Sequence, residues 1–232
     1  ILPTNIRWIW ELNLLDLFIG MFNVYLNQYR MQPTLREHNY HQFGPYLAEM
    51  QVDPNYCARL LKLGKKLKKR HNKNLAGQIE HEYLYPLETE PWIFNEFKIY
   101  INTWIAGWRR FSNRHNFKTN YELTQMWINR MRAKEYNPIH VHTHCALSFV
   151  LWLEVPQRML DEAKKNETNA ANPGSISFIY GEESWSSLTD RHYAPKLNTL
   201  FIFPATLKHH VMHFNSKVIR TSVAGNIRFY DL

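Results

Sequence analysis

The pattern of the chain changes after Asn120, and this change constrains the fold more than any other feature of the sequence. Short apolar runs separated by turn residues take over from there, and such runs are typical of β-strands. Many short strands at short intervals favour a double-sheet jelly roll or a barrel. The predicted strands cover residues 121–132, 139–155, 174–181, 191–194, 198–204, 208–213 and 218–230.

The residues before Asn120 carry helical patterns instead. Asp53 followed by Pro54 is an N-cap with proline at the first helical position, and it predicts a helix over 54–69. Apolar and aromatic residues recur at spacings of three and four over 91–111, which predicts an amphipathic helix that braces a sheet with its aromatic stripe. Residues 1–31 are expected to form an extended entry and a short helix.

We expect one folded unit over 1–232, because the chain is long enough for one large domain and 45% of its residues are hydrophobic. Its first part, 1–118, is predicted to be mostly helical, and 119–232 to form the β-rich core. The polar segment 157–173 is predicted to be a mobile loop, and would be the natural lid over a site.

The net charge of +8 is local. Twelve consecutive residues without an acid hold seven of the basic side chains, which leaves about +1 for the rest of the chain. The run lies beside leucines, so we interpret it as the solvated face of an amphipathic helix; docking to an acidic partner, RNA or a ribosomal surface is the alternative. The residues are Lys62, Lys65, Lys66, Lys68, Lys69, Arg70 and Lys73.

Two further features of the sequence bear on the cellular location of the protein. Cys57 and Cys145 match no paired spacing, so neither a disulfide framework nor a cysteine-based zinc site is indicated, and a reducing, cytoplasmic setting fits. The apolar stretch 8–25 is interrupted by Glu11 and Asp16 and lacks a small-residue cleavage site, so we expect neither a membrane span nor a secretory signal.

A string of alternating histidines, His140, His142 and His144, falls in the predicted strand 139–155. Alternate strand residues point to one face and lie about 7 Å apart, so two neighbouring histidines can reach one metal ion, but the outer two cannot. Either the first pair or the second is therefore a candidate. His209 and His210 would face opposite ways on a strand, so only one of them can enter the site. The downstream candidates for a third ligand are His192, His209, His210 and His213.

Arg220 lies within the apolar run 218–223, where a guanidinium is out of place unless it is paired. Its forked donors suit a carboxylate, and Ser222, on the same face of a strand, can add a hydroxyl. Together the histidines and Arg220 suggest a mononuclear metal site with an anionic co-substrate.

These residues, in this order, resemble the iron(II) and 2-oxoglutarate (2OG) dependent dioxygenases, specifically a group related to prolyl hydroxylases and found in marine bacteria and phages. The pattern is W-x-N…N-P-x-H-x-H…S…V, then P…L…F-P…L-x-H-x-V, then R-x-S…N, over roughly 121–230. The matching residues are Trp127, Asn129, Asn137, Pro138, His140, His142, Ser148, Val150, Pro195, Leu200, Phe203, Pro204, Leu207, His209, Val211, Arg220, Ser222 and Asn226.

The resemblance implies a mainly β fold with a helical extension: a double-stranded β-helix of the jelly-roll or cupin-like kind, braced by N-terminal helices. In it, His140 and His209 bind iron(II), and Arg220 holds the distal carboxylate of 2OG. Most members have Asp or Glu where this chain has His142, and the group that the chain resembles also reads H-x-H there. Three imidazoles can hold iron(II) on one face, although they are also a familiar zinc or copper set.

We therefore predict a metal site of His140, His142 and His209. Cofactor contacts are expected from Arg220, Ser222, Asn129 and Tyr193, with Trp127, Ser148 and Trp152 as supporting residues around them. The expected cofactors are iron(II), 2OG and O2, with ascorbate as an optional addition.

The expected activity is hydroxylation of a peptidyl or small-molecule substrate in the cytoplasm, or in the host cytoplasm if a phage encodes the chain. Two alternatives stay open: a cupin-like three-histidine metalloprotein that does not use 2OG, and a non-catalytic binding module that docks an acidic partner or RNA on the lysine-rich helix.

Overall fold

A computed structural model describes residues 44–165 and 171–230. Three helices are present there: α1 (Pro54–Gly64), α2 (Trp92–Phe111) and α3 (Gln157–Ala163). A 3-10 turn covers Asn72–Asn74. The strands are β1 (Ala48–Gln51), β2 (Glu82–Leu84), β3 (Asn120–Met131), β4 (Asn137–His140), β5 (Leu147–Glu154), β6 (Ile176–Ile179), β7 (Asp190–Tyr193), β8 (Thr199–Pro204), β9 (Lys208–Val211) and β10 (Arg220–Tyr230).

The strands form two antiparallel sheets. The large sheet has the order β1-β8-β5-β10-β3-β2, and the small sheet has the order β4-β9-β6-β7. Aromatic side chains of the large sheet, such as Phe201 and Phe203, pack against Phe178 of the small sheet, with ring centroids 6.0 and 4.8 Å away. Two facing sheets with this strand order make a double-stranded β-helix, so the predicted fold class is confirmed.

The outer face of the large sheet is covered by α2. Phe97 is fully buried and stacks 4.5 Å from Phe149 of β5, and Ile101 and Trp104 belong to the same core. Burying one such aromatic side chain contributes roughly 1.5–3 kcal/mol. The aromatic stripe of 91–111 therefore braces the sheet, as the sequence predicts.

The basic run is not a helical face, and this prediction was wrong. Asp53 accepts a hydrogen bond from the backbone N–H of Asn55 and caps α1 as expected, but the helix ends at Gly64 rather than at residue 69. Beyond it the backbone pairs with β2, because the Leu84 N–H donates to the carbonyl of Lys69. The backbone at Lys69 is therefore hydrogen-bonded to a strand and not within a helix. Only Lys62 of the seven basic residues lies on α1.

Two other predicted segments also differ. Residues 157–173 do not begin as a mobile loop, because 157–163 form α3, whose Met159 is fully buried and whose Glu162 accepts from the backbone N–H groups of Asn215 and Ser216. The predicted strand 139–155 is two strands, β4 and β5, with a connection over 141–146. In that connection His144 has a left-handed backbone, with φ of 60°.

All described residues lie in one compact unit that spans 43–232, and the extent of the domain towards residue 1 stays a prediction. The helix expected in 1–31 and the apolar stretch 8–25 fall outside the described residues. Within 44–165 and 171–230, no helix is long and apolar enough to cross a bilayer.

Candidate metal centre and anion pocket

A cavity of about 730 Å³ lies between the two sheets. Its walls carry side chains from β3, β4, β5, β9 and β10, together with the segment 74–82 that leads into β2. Lining residues that are exposed to solvent mark its mouth: Asn74, Ala76, Gln125, Val141, Thr143, His144 and Arg228. The residues predicted for metal and co-substrate binding mostly meet in this space.

Three histidines converge at one end of the cavity. His140 is the last residue of β4 and pairs directly with His209 of β9, and their ring centroids are 4.2 Å apart. The ring of His142 lies 5.3 Å from that of His140 and 5.2 Å from that of His209. One ring nitrogen from each lies within 4.8 Å of the other two, which is a spacing that a metal ion can close.

The elements that carry the histidines differ from the single strand that the sequence predicts. His140 and His142 do not lie on one strand, because β4 ends at His140 and the N–H of His142 donates to Ala205, in the turn after β8. The break turns His142 towards His209 and leaves His144 exposed at the mouth.

The other candidate histidines lie elsewhere. His210 faces away from His209 by strand alternation. His192 is exposed and contacts Ser177 and Asp190, and His213 is exposed. Among the described residues, the group that could hold a metal ion is His140, His142 and His209, and their role as ligands stays a prediction.

Each of the three histidines has its Nδ1 occupied inside the protein. Nδ1–H of His140 donates to the carbonyl of Pro138 at 2.7 Å, and that of His209 donates to the carbonyl of Leu207 at 2.8 Å. Nδ1–H of His142 donates to Oδ1 of Asn226 at 2.6 Å. Because a carbonyl can only accept, these bonds fix the proton on Nδ1 and leave the lone pair of each Nε2 for a metal ion.

The electrostatics keep these rings neutral. Burial lowers the pKa of His140, and burial together with the other two histidines lowers the pKa of His209 well below its usual value. Burial lowers the pKa of His142 to about 4, although its bond to Asn226 acts in the opposite direction. Three neutral imidazoles with free Nε2 atoms fit a divalent first-row metal, iron(II) included.

The opposite end of the cavity is built around Arg220, at the start of β10. The side chain is buried, with 2% of its surface exposed. Its Nη1 donates to the carbonyl of Gly174 at 2.8 Å, its Nη2 reaches Oγ of Ser222 at 3.5 Å, and its Nε has no partner. Burial lowers its pKa to about 10, which still leaves it charged at neutral pH.

No described carboxylate pairs with Arg220, and a second donor beside it is also unused. Trp152 of β5 lies directly opposite Ser222 and is buried, and its indole Nε1 has no hydrogen-bond partner. A buried, unpaired cation next to a free N–H donor is a site for an anion, and the fork of Arg220 suits a carboxylate.

The remaining predicted residues divide into those that line the cavity and one that does not. Asn129 and Ser148 line it, and Oγ of Ser148 lies 3.3 Å from Nδ1 of His142. Trp127 lines it too and stacks on His142, with a centroid distance of 5.9 Å. Tyr193 lies outside the lining and packs on Phe178 and Phe201 in the core.

Sequence reasoning missed two residues of this cavity. Asn226 is in the quoted family pattern but was given no role; strand alternation from Arg220 through Ser222 would have placed it on the same face. Glu82 is buried and lines the cavity, yet nothing in its sequence surroundings marks it, since a glutamate in a polar stretch is normally exposed.

The comparison with known families supports this site. Residues 125–226 match the family described as "Putative 2OG-Fe(II) oxygenase". The three histidines, Arg220 and Ser222 all lie within the match. The resemblance predicted from the sequence is therefore confirmed over this range, and so are iron(II) and 2OG as the cofactors.

No curated protein matches the chain. Among solved structures, the chain is similar to a 2OG-Fe(II) oxygenase family oxidoreductase from Burkholderia pseudomallei, with a TM-score of 0.49 and 14% identity over 78% of this chain and 84% of that one. It is also similar to the 2OG complex of the viral collagen prolyl hydroxylase of Paramecium Bursaria Chlorella virus-1, with a TM-score of 0.49 and 13% identity over 81% and 98%. HygX from Streptomyces hygroscopicus, with nickel and 2OG bound, has a TM-score of 0.46 and 9% identity over 78% and 82%.

Proposed function

Because residues 125–226 match the 2OG-Fe(II) oxygenase family, we propose that this chain is a dioxygenase that hydroxylates an aliphatic carbon of a peptide or small molecule. One observation carries the proposal: a buried arginine that pairs with no described carboxylate shares a cavity with three histidines whose Nδ1 atoms are all hydrogen-bonded inside the protein. The histidine end can bind a metal ion, and the arginine end can bind a carboxylate.

The floor between the two ends is made of small side chains. Between the two ends, the residues of β10 that face the cavity are Arg220, Ser222, Ala224 and Asn226, and Arg228 follows them at the mouth. Ser222 and Ala224 project little into the cavity and leave room between Arg220 and the histidine that Asn226 orients. A short dicarboxylate such as 2OG matches this layout, because one end can bind the metal and the other can reach the guanidinium.

In this proposal, one group of residues binds the metal and another binds the co-substrate. His140, His142 and His209 hold iron(II). Arg220 and Ser222 bind the distal carboxylate of 2OG, and the free indole N–H of Trp152 adds a donor at the same end. With both groups bound, the site supplies the chemistry in which R–H, O2 and 2OG become R–OH, succinate and CO2.

The substrate would enter through the mouth marked by Asn74, Ala76 and His144. We further propose that the basic run outside the mouth binds an acidic stretch of a peptidyl substrate, because the run leads directly into Asn74 and is exposed. Lys65 and Arg70 pair with Glu154 and Glu80. Within the described part of the chain the other five have no ion pair: Lys62, Lys66, Lys68, Lys69 and Lys73.

The basic-run proposal can be tested by binding. An acidic peptide should bind the protein, and the variant with Lys68→Glu and Lys69→Glu should bind it at least several-fold more weakly. A peptide of the same length without acidic residues is the control. Preferential binding of an RNA oligonucleotide would contradict the peptide proposal and favour the RNA alternative.

The central experiment measures iron(II) and 2OG binding under anoxic conditions, followed by succinate formation when O2 is admitted. The wild-type protein should bind both and form succinate, slowly if no substrate is present. His209→Ala should lose the metal and the succinate, whereas His213→Ala removes an exposed histidine outside the cavity and should change neither. Metal binding without any affinity for 2OG would contradict the proposal and favour a three-histidine metalloprotein in which Arg220 binds the substrate itself.

A further inference from the structure

Glu82 is a buried acid that the proposed reaction does not use. It lies at the start of β2, with 1% of its surface exposed, and its side chain lines the cavity between the sheets. Nδ2 of Asn72 donates to its Oε2 at 3.3 Å. No cation forms a salt bridge with it among the described residues, although a buried carboxylate without one is costly.

The strand register places Glu82 beside a polar row that leads to the anion end. Glu82 is the direct partner of Asn129 on β3, and Asn129 is the direct partner of Ser222 on β10. All three side chains line the cavity. Directly opposite residues of antiparallel strands have Cβ atoms about 4.5–5.5 Å apart, so the side chains of Glu82 and Asn129 are immediate neighbours.

Asn129, on this row, lacks a hydrogen-bond donor for its side-chain oxygen in the described part of the chain. Its Oδ1 is buried and has no hydrogen-bond partner among the residues that the structure describes. An amide oxygen can only accept, and an ionised carboxylate can only accept as well, so the pair cannot bond while Glu82 is charged. A protonated Glu82 resolves the mismatch, because its O–H donates to Oδ1 of Asn129 while the other oxygen keeps the bond from Asn72.

We propose that Glu82 is held as a neutral carboxylic acid that donates to Oδ1 of Asn129, and so turns the amide N–H groups of Asn129 towards bound 2OG. Glu82 is then a positioning residue and Asn129 the residue that contacts the co-substrate. This inference rests on the proposed function, since it gives the anion end of the cavity one more donor, next to Arg220 and Ser222.

The surroundings of Glu82 support a bound proton at neutral pH. Burial raises its pKa to about 8, and the negative charge of Glu135 acts in the same direction. No partner opposes this shift, since the one side chain bonded to Glu82 is the neutral amide of Asn72. The titratable and charged groups on the elements around it include His71, His81, Arg130, Glu135, Arg220 and Glu80, and Glu80 pairs with Arg70 and Arg132.

The reversed amide is the competing arrangement. If the amide of Asn129 were turned over, its N–H groups would donate to an ionised Glu82, and Oδ1 would face the co-substrate. An acceptor would then point at a dianion beside Arg220, which is unfavourable. The two arrangements differ in the charge of Glu82, so an experiment can separate them.

The first measurement follows the proton itself in the metal-free protein. Infrared difference spectra of wild-type and Glu82→Gln protein should show the C=O band of a protonated carboxylic acid at pH 7, present only in the wild type. The band should disappear as the pH passes about 8. Glu88→Gln, which removes an exposed carboxylate, is the matched control and should leave the band unchanged. Absence of the band at pH 7 overturns the inference.

The second measurement follows 2OG binding to the iron(II)-loaded protein by anoxic calorimetry between pH 6.5 and 9.5. In the wild type, the dissociation constant should rise about 10- to 100-fold as Glu82 ionises, the effect of losing one hydrogen bond to a charged group. Glu82→Gln keeps an N–H donor for Asn129, so it should bind like the wild type at pH 7 and lose this rise. Glu82→Ala should bind weakly at both ends of the range.

The outcomes separate this inference from the function on which it rests. If the wild type binds 2OG with no weakening above pH 8, or Glu82→Gln weakens as the wild type does, the inference is overturned and the oxygenase function stands. If no variant and no pH gives 2OG binding, the oxygenase function is overturned, and the infrared titration still decides whether Glu82 carries a proton.

Discussion

The two ends of the cavity differ in how far the protein satisfies its own polar groups. At the metal end, the Nδ1 of every histidine has a hydrogen-bond acceptor: Pro138, Asn226 or Leu207. At the anion end, Nε of Arg220 and Nε1 of Trp152 have no acceptor within 44–165 and 171–230. The metal end therefore has its ligands orientated before an ion arrives, whereas the anion end holds donors that no described protein group satisfies and that a carboxylate can accept from.

Because the two ends differ in this way, metal binding and 2OG binding should be lost in different variants. Changes among the histidines should abolish metal binding and with it everything that depends on the metal, whereas changes around Arg220 should weaken 2OG and leave the metal in place. If changes around Arg220 also remove the metal, the two ends do not act separately and the comparison fails.

The largest effect is expected at His142. His142→Ala removes one of three neutral ligands, and metal affinity should fall by at least about a hundredfold, since each ligand bond contributes several kcal/mol to binding. Metal content after dialysis, or competition with a chelator, measures it. His144→Ala is the control, because His144 follows in the same string but lies exposed at the mouth, and it should keep the metal. Retention of wild-type affinity by His142→Ala would remove this residue from the ligand set.

The second-largest effect, a loss of 2OG affinity, is expected at Arg220. Arg220→Met should weaken 2OG about a hundredfold, because a charge-assisted pair in a buried site is lost, while iron(II) affinity stays the same. Thermal stability should not fall and can rise, since the substitution removes a buried charge that no carboxylate among the described residues neutralises. Arg191→Met, on the exposed strand β7, is the control for a lost guanidinium. Loss of iron(II) from Arg220→Met would show that the two ends are not independent.

A smaller effect is expected at Asn226, which tests whether the partners of the histidines matter. Asn226→Ala leaves Nδ1 of His142 without its acceptor, so the ring can turn or change tautomer, and metal affinity should fall about 10- to 100-fold. Asn120→Ala, at the exposed start of β3, should leave it unchanged. Unchanged metal affinity in Asn226→Ala would mean that β4, β9 and the turn at Ala205 orientate His142 by themselves.

The features of this site that were predictable from the sequence depend on local patterns. Alternation within one strand placed Ser222 on the same face as Arg220, and spacings of three and four identified α2. The missed features depend on contacts between distant segments. His142 is turned by Ala205, α1 is cut short because Lys69 pairs with β2, and Glu82 is buried because β2 lies at the edge of the cavity. None of these contacts leaves a periodic signal in the sequence.

The smallest effect is expected at Trp152, and it tests whether an unpaired donor indicates a ligand contact. Trp152→Phe keeps most of the aromatic packing against Phe201 but removes the indole N–H. If that N–H donates to the distal carboxylate, 2OG affinity should fall about five- to tenfold, the value of one hydrogen bond, and iron(II) affinity should not change. Trp185→Phe is the matched control, because Trp185 is fully exposed. Equal 2OG affinity in the two variants would restrict the anion site to Arg220 and Ser222, and would show that an unpaired donor at this end of the cavity need not touch the ligand.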